Sequence, residues 1–200
     1  MVYDNPLHPQ IDASNHSGYT TLTPASAFVN RRLSYRLPQQ IQYIAPNPKP
    51  HQYMMDPARI THISFDRIGS PGKGMPIADL VARSIPGLNT IMKGGEDYVF
   101  SGTPCVRITF RIMWPGYLHL NWAHNIDVVS AQGPIARAQL AQAVAQSFAR
   151  FVEKCRTEVP TQTEYRIGVA GIRLENLILC FIKDASYDAW YADVVIDMRH

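Results

Sequence analysis

The sequence predicts an α+β domain: an antiparallel or mixed sheet of about five strands with two helices on one face. Three features of the 200 residues carry that reading. Residues 105–128 alternate apolar and polar with a period of two. Residues 134–155 repeat apolar positions at helical spacing. Residues 172–198 give an apolar run followed by a second alternating strand.

The elements follow in order. RITHISFDRI, residues 59–68, is β-rich and alternating and reads as a first strand. GSPGKG, residues 69–74, is a turn. Residues 76–85 place Ile77, Leu80, Val81 and Ser84 on one helical face, and Pro86 and Gly87 are expected to stop that helix. Residues 88–101 give two signals: KGGED is a turn, and DYVFS has the composition of a short strand.

In residues 105–114, Val106, Ile108, Phe110, Ile112 and Trp114 share one face. Arg107, Thr109 and Arg111 share the other. The following strand sends Leu118, Leu120, Trp122, Ile126 and Val128 inward. His119, Asn121, Ala123, Asn125 and Asp127 point outward. A two-residue Pro115-Gly116 turn would mix these faces, and Pro-Gly favours a type II turn, which splays a hairpin. A three-residue connection, Pro115 to Tyr117, keeps the faces together. It pairs Trp114 with Leu118, Ile112 with Leu120 and Phe110 with Trp122, and sets Arg111 opposite Asn121 and Arg107 opposite Asn125.

Helix 134–155 opens on Pro134 and buries Leu140, Val144, Phe148, Phe151, Val152 and Cys155. Gln139, Gln142, Gln146, Arg150 and Glu153 face water. Residues 172–183 are apolar on both faces, as expected of a central or doubly covered strand. DASYDA turns the chain. Residues 190–198 place Trp190, Ala192, Val194 and Ile196 inward, and Tyr191, Asp193 and Asp197 outward. The order β-α-β-β-α-β-β contains the ferredoxin-like βαββαβ order with an added C-terminal strand.

Residues 1–58 differ in composition. Eight of the fifteen prolines lie there, and APNPKP resists helix and sheet alike. The segment reads as a Pro-rich extended arm or surface loop with Tyr19, Tyr35, Tyr43 and Tyr53 as anchors, and residues 59–200 as a single domain.

Composition excludes several classes. A net charge of +3 without a clustered basic stripe argues against nucleic acid, as does the absence of aromatics on the outer hairpin face. Cys105, Cys155 and Cys180 form no C-x-x-C, so neither a zinc knuckle nor a redox pair is expected. No metal and no cofactor is expected. MVYDNPLHPQ lacks the charged lead and apolar run of a secretory signal, and no apolar run is long enough to span a bilayer. An intracellular location, cytoplasmic or nuclear, fits this pattern.

Candidate sites are few. The outward strip of Arg107, Arg111, His119, Asn121 and Asn125 suits binding, with the arginines matched to carboxylate or phosphate. His119 and His124 point to opposite faces, and His119 and Asp127 lie roughly 26 Å apart along a strand, so neither pair forms a catalytic or metal site. GSPGKG follows a strand and precedes a helix as a phosphate loop does. That pattern requires Gly where Arg67 stands and a hydroxyl residue where Gly74 stands, so the segment reads as a turn. RRLS, residues 31–34, resembles a substrate site of basophilic protein kinases, making Ser34 a candidate regulatory residue.

The run RITFRIMWPGY, followed by LAQAVAQSFARF, resembles a segment of uncharacterised domains of mushroom-forming (basidiomycete) fungi, over about residues 105–153. That resemblance implies a fungal, intracellular, non-catalytic protein and no site residues. The expected function is a non-enzymatic interaction or regulatory domain that binds a protein partner or itself through the polar face and the arm. The alternatives are a small hydrolase or phosphate-ester enzyme using His plus a carboxylate, and a small-molecule binding domain.

Overall fold

The computed structural model describes residues 34–38, 62–186 and 189–199. Most of the arm, residues 1–33 and 39–58, lies outside them, with Tyr19, Tyr43 and Tyr53. The described residues form an α+β fold with a mixed seven-strand sheet. Its strands are β1 (Ser34–Arg36), β2 (His62–Ser64), β3 (Met75–Pro76), β4 (Arg107–Ile112), β5 (Trp122–Asp127), β8 (Leu177–Ser186) and β9 (Ala189–Asp197). The five core strands run in the order β2-β8-β9-β4-β5. β6 (Val129–Ser130) and β7 (Gly133–Pro134) make a separate small ribbon.

The ferredoxin-like order is not shown. The last strand, β9, sits in the middle, antiparallel to β8 and parallel to β4. β4 covers only the Ala189–Tyr191 end of that β9 edge. β1 covers the other end, with Ser34, Tyr35 and Arg36 opposite Asp197, Ile196 and Val195. Tyr35 packs against the core.

The helices are α1 (Ile77–Ala82), α2 (Ile85–Asn89) and α3 (Arg137–Cys155), and α1 and α3 pack on each other and on the sheet. The expected helix 76–85 is shorter: α1 ends at Ala82, where Arg83 turns extended at φ −88° and ψ 150°, and Pro86 and Gly87 lie inside α2 instead of stopping it. Ser84 is the exposed N-cap of α2 and accepts from the Gly87 N–H, while Pro86 sits in the first turn, where its missing N–H is harmless. DYVFS contributes only a bridge between Tyr98 and Ala136. Pro134 belongs to β7, so α3 starts three residues later. The KGGED turn caps α3: the Arg137 and Ala138 N–H groups donate to the carbonyls of Asp97 and Gly95.

The core lies between the sheet and α3. Leu140, Val144, Phe148, Phe151 and Cys155 are buried, as expected of a stripe at helical spacing. Phe110 meets Phe148 edge-on at 5.9 Å between ring centroids. Gln142 does not simply face water: its side-chain amide donates to the Leu80 and Arg83 carbonyls, satisfying the end of α1.

The hairpin keeps its expected faces but not its expected register. Ile112 pairs with Trp122, Phe110 with His124, Thr109 with Asn125 and Arg107 with Asp127, two residues beyond the expected pairing. An even shift preserves which side chains point inward. The cause is a longer connection. The Tyr117 N–H donates to the Trp114 carbonyl across Pro115-Gly116, with Gly116 at φ 86°, a type II turn that opens rather than closes the hairpin. A 3₁₀ turn follows over Leu118–Leu120, and Asn121 reverses the chain at φ 42°. Segment 161–167 holds this loop open. The Trp114 indole donates to the Tyr165 carbonyl, and the Ile167 N–H donates to the Tyr117 hydroxyl. Leu118 is therefore exposed, and so is Val106, at 61%, because it precedes β4 and is held by its backbone to Val128 and Val129.

The run LENLILCFIK is apolar on both faces because its phase changes. A bulge at Cys180 separates Leu179, opposite Val194, from Phe181, opposite Asp193. Leu177 and Leu179 face the core before it, and Ile182 after it.

Candidate functional site

On the outer hairpin face Arg107–Asp127 and Thr109–Asn125 are register partners, while Arg111, opposite Ala123, reaches diagonally to Asn121 just before β5. The Arg107 guanidinium donates to the Asp127 carboxylate at 2.5 Å, the Thr109 hydroxyl to Asn125 Oδ1 at 3.2 Å, and Arg111 Nη1 to Asn121 Oδ1 at 3.1 Å. Four of the five expected residues, Arg107, Arg111, Asn121 and Asn125, thus share one ladder. His119 does not join it. It lies in the 3₁₀ turn, stacked at a tilt on Tyr117, with Nε2 4.0 Å from Glu158. His124 turns to the helix side, 3.4 Å from Arg150.

Electrostatics follow the pairing. The hydrogen bond from Arg107 holds the Asp127 carboxyl below its ordinary range, and Asp127 in turn raises Arg107. Lys154, 2.7 Å away, lowers Glu158 in the same way. Because the folded pKa of Asp127 is depressed, its contribution to stability is present above the ordinary value of 3.8 and lost as pH falls through the folded value. In a carbon-detected NMR titration Asp127 should titrate below 3.8, and Arg107→Gln should bring it back toward that value. An Asp127 midpoint that Arg107→Gln leaves in place would refute the pairing. The buried thiols behave oppositely: burial pushes Cys155 up to about 12 and Cys180 to about 11.

GSPGKG is filled from within. Asp66 Oδ1 accepts from the Gly72 N–H at 2.9 Å and the Gly74 N–H at 3.4 Å, so an internal carboxylate occupies the place a phosphate would take. That commits Asp66 to the turn, while His62 stacks edge-on against Phe181.

Two concavities flank the ladder. The larger, about 660 Å³, lies between the end of β5 and the start of α3. Glu96, Tyr98, Asp127, Ile135 and Gln139 line it. The smaller, about 170 Å³, lies where β4 leaves β9 and β1 begins. Leu37, Arg111, Lys183, Asp184 and Tyr191 line it. Asp127 borders the first and Arg111 the second, so the polar strip joins them. Sequence reasoning missed Glu96, Tyr98, Lys183 and Tyr191. Tyr98 sits in a stretch without periodicity, and Tyr191 reaches Arg111 only through the parallel β4–β9 pairing.

Among the described residues, no three His, Cys, Asp or Glu side chains cluster as metal ligands. Among them, no helix is long and apolar enough to cross a membrane. No family model matches the chain, and no curated protein or solved structure is detectably similar to it.

Proposed function

We propose that this chain is a non-enzymatic interaction domain that binds a protein partner, or a second copy of itself, through the outer face of the β4–β5 hairpin. The observation that carries this reading is the ladder Arg107–Asp127, Thr109–Asn125 and Arg111–Asn121. It is a fixed array of donors and acceptors on a sheet face, and β5 ends the order of core strands beside it. Such an array gives a partner orientation and specificity.

The test compares wild type with Arg111→Glu and Asn125→Arg. Both positions lie on the face, and Asn121 is left alone because its φ of 42° makes it structural. Affinity capture from the native cell with mass spectrometry, and sedimentation over a concentration series, read partner and self-association. Both variants should lose the wild-type partner or the wild-type self-association at an unchanged melting temperature. Equal recovery and equal association in both variants would sink the face as the site.

The 660 Å³ groove favours a second reading, a small-molecule site. Its carboxylates, Glu96 and Asp127, and its exposed Tyr98 ring suit an amine-bearing ligand. The hydrolase reading calls for a histidine and a carboxylate meeting in a concavity. His119 and Glu158 meet instead beside the C-terminal end of α3, with Lys154 as a third member.

A further inference from the structure

Ser34 ends the basophilic motif Arg31-Arg32-Leu33-Ser34 and also begins β1. Its residue is exposed. In the β1–β9 ladder its Cα partner is Asp197, so the two side chains project from the same face of the sheet, with Cβ atoms about 4.5–5.5 Å apart in such pairs. Asp197 is buried and already engaged: Arg199 donates to both carboxylate oxygens from Nε, at 2.8 and 3.1 Å, and again from Nη2. Two residues along β1, Arg36 donates to the buried Asp193 at 2.8 Å.

We propose that Ser34 is a phosphorylation site for an arginine-directed protein kinase, and that its phosphate releases β1 from the β9 edge. In the transfer, Ser34 Oγ forms a new bond to the γ-phosphorus of ATP. The bridging bond to the β-phosphate breaks, ADP leaves with that electron pair, and the hydroxyl proton passes to the kinase's base. The product places nearly two negative charges directly opposite a buried carboxylate. Among the described residues, Arg199 and Arg36 do not reverse this. Arg199 and Arg36 are committed to Asp197 and Asp193, and drawing either toward the phosphate leaves a buried carboxylate less neutralised. β1 has three residues and is fastened by its ladder, by the Arg36–Asp193 ion pair and by the Leu37 N–H to the Val194 carbonyl at 2.9 Å. A short edge segment of this kind opens locally without the core opening. Release would also remove Leu37 and Pro38 from the wall of the 170 Å³ cleft beside Arg111.

The test treats the full chain with ATP and an arginine-directed kinase, locates the phosphate by tandem mass spectrometry, and follows amide hydrogen exchange. Ser34 should take up phosphate, Ser34→Ala should take none at that position, and Arg32→Ala should slow incorporation about tenfold or more. In the phosphorylated protein the Leu37 amide should exchange about tenfold faster, while the Phe110 and Val144 amides keep their rates. Absence of phosphate at Ser34, or an Arg32→Ala rate equal to wild type, would overturn the kinase assignment. Unchanged or slower exchange at Leu37 in the phosphorylated chain would overturn the release.

Discussion

Phe151→Ala should lower the unfolding free energy by about 3–5 kcal/mol, the largest loss expected of a single side-chain truncation here. Phe151 is fully buried on α3. Its ring centroid lies 6.1 Å from Trp114, 6.3 Å from Tyr117 and 5.7 Å from Trp122, the last two edge-on. Those three rings come from the turn two residues beyond β4, from the open connection and from the first residue of β5. The one ring therefore ties α3 to both strands of the hairpin and to the loop that sets their register. Each such aromatic pair is worth about 0.5–1.5 kcal/mol beyond the area it buries. The void left would be bounded by rigid rings that close poorly over it. Urea denaturation reads the effect, with the half-buried Val152→Ala as a milder control expected to cost about 1 kcal/mol. A loss below about 1.5 kcal/mol for Phe151→Ala would show that the cluster closes over the gap and is not the hinge of the hairpin.

Gly74→Ala should cost more than about 3 kcal/mol, whereas Gly72→Ala, two residues earlier, should cost about 1 kcal/mol. Gly72 and Gly74 have positive φ, 73° and 71° respectively, so the backbone strain of an added Cβ is shared. The surroundings differ. A Cβ at Gly72 meets nothing within 4 Å, while one at Gly74 falls 2.5 Å from the Leu179 carbonyl oxygen and 3.0 Å from the Ile178 side chain. Those atoms belong to β8, and β3 pairs with β8 through Met75 and Leu179 in the next step of the chain. To fit the methyl, the backbone of β8, paired by β3 on one side and β9 on the other, must move. Thermal or chemical unfolding of the two variants side by side separates strain from clash. Equal losses would show that β3 is not held tightly against β8.

The alternation of residues 107–112 showed that Ile108, Phe110 and Ile112 face the core and that Arg107 and Arg111 do not. The spacing of Leu140, Val144, Phe148 and Phe151 showed the buried stripe of α3, and the pattern of 190–196 showed the inner face of β9. Each is a local periodicity, and periods of 2.0 and 3.6 are properties of the backbone alone. The candidate strip was legible for the same reason, since Arg107, Arg111 and Asn125 belong to the alternation. His119 was misplaced because a 3₁₀ turn has neither period, and nothing local distinguishes it from a continued strand.

Local pattern thus placed most inward residues of the hairpin, α3 and β9, and so an α+β fold with one polar hairpin face; it missed the burial of Asp193 and Asp197 on the other face of β9 and the exposure of Val106 and Leu118. How those elements meet is set by long-range packing. The two-residue register shift depends on Trp114 and Tyr117 reaching segment 161–167, some fifty residues away. The phase change in β8 depends on a bulge whose pairing exists only against β9. β9 takes the centre of the sheet, with β4 and β1 sharing one of its edges. That sharing creates both the cleft beside Arg111 and the juxtaposition of Ser34 with Asp197. Long-range packing selects among registers and strand orders that local pattern leaves equivalent, because an even shift or a different neighbour conserves every inward-facing side chain.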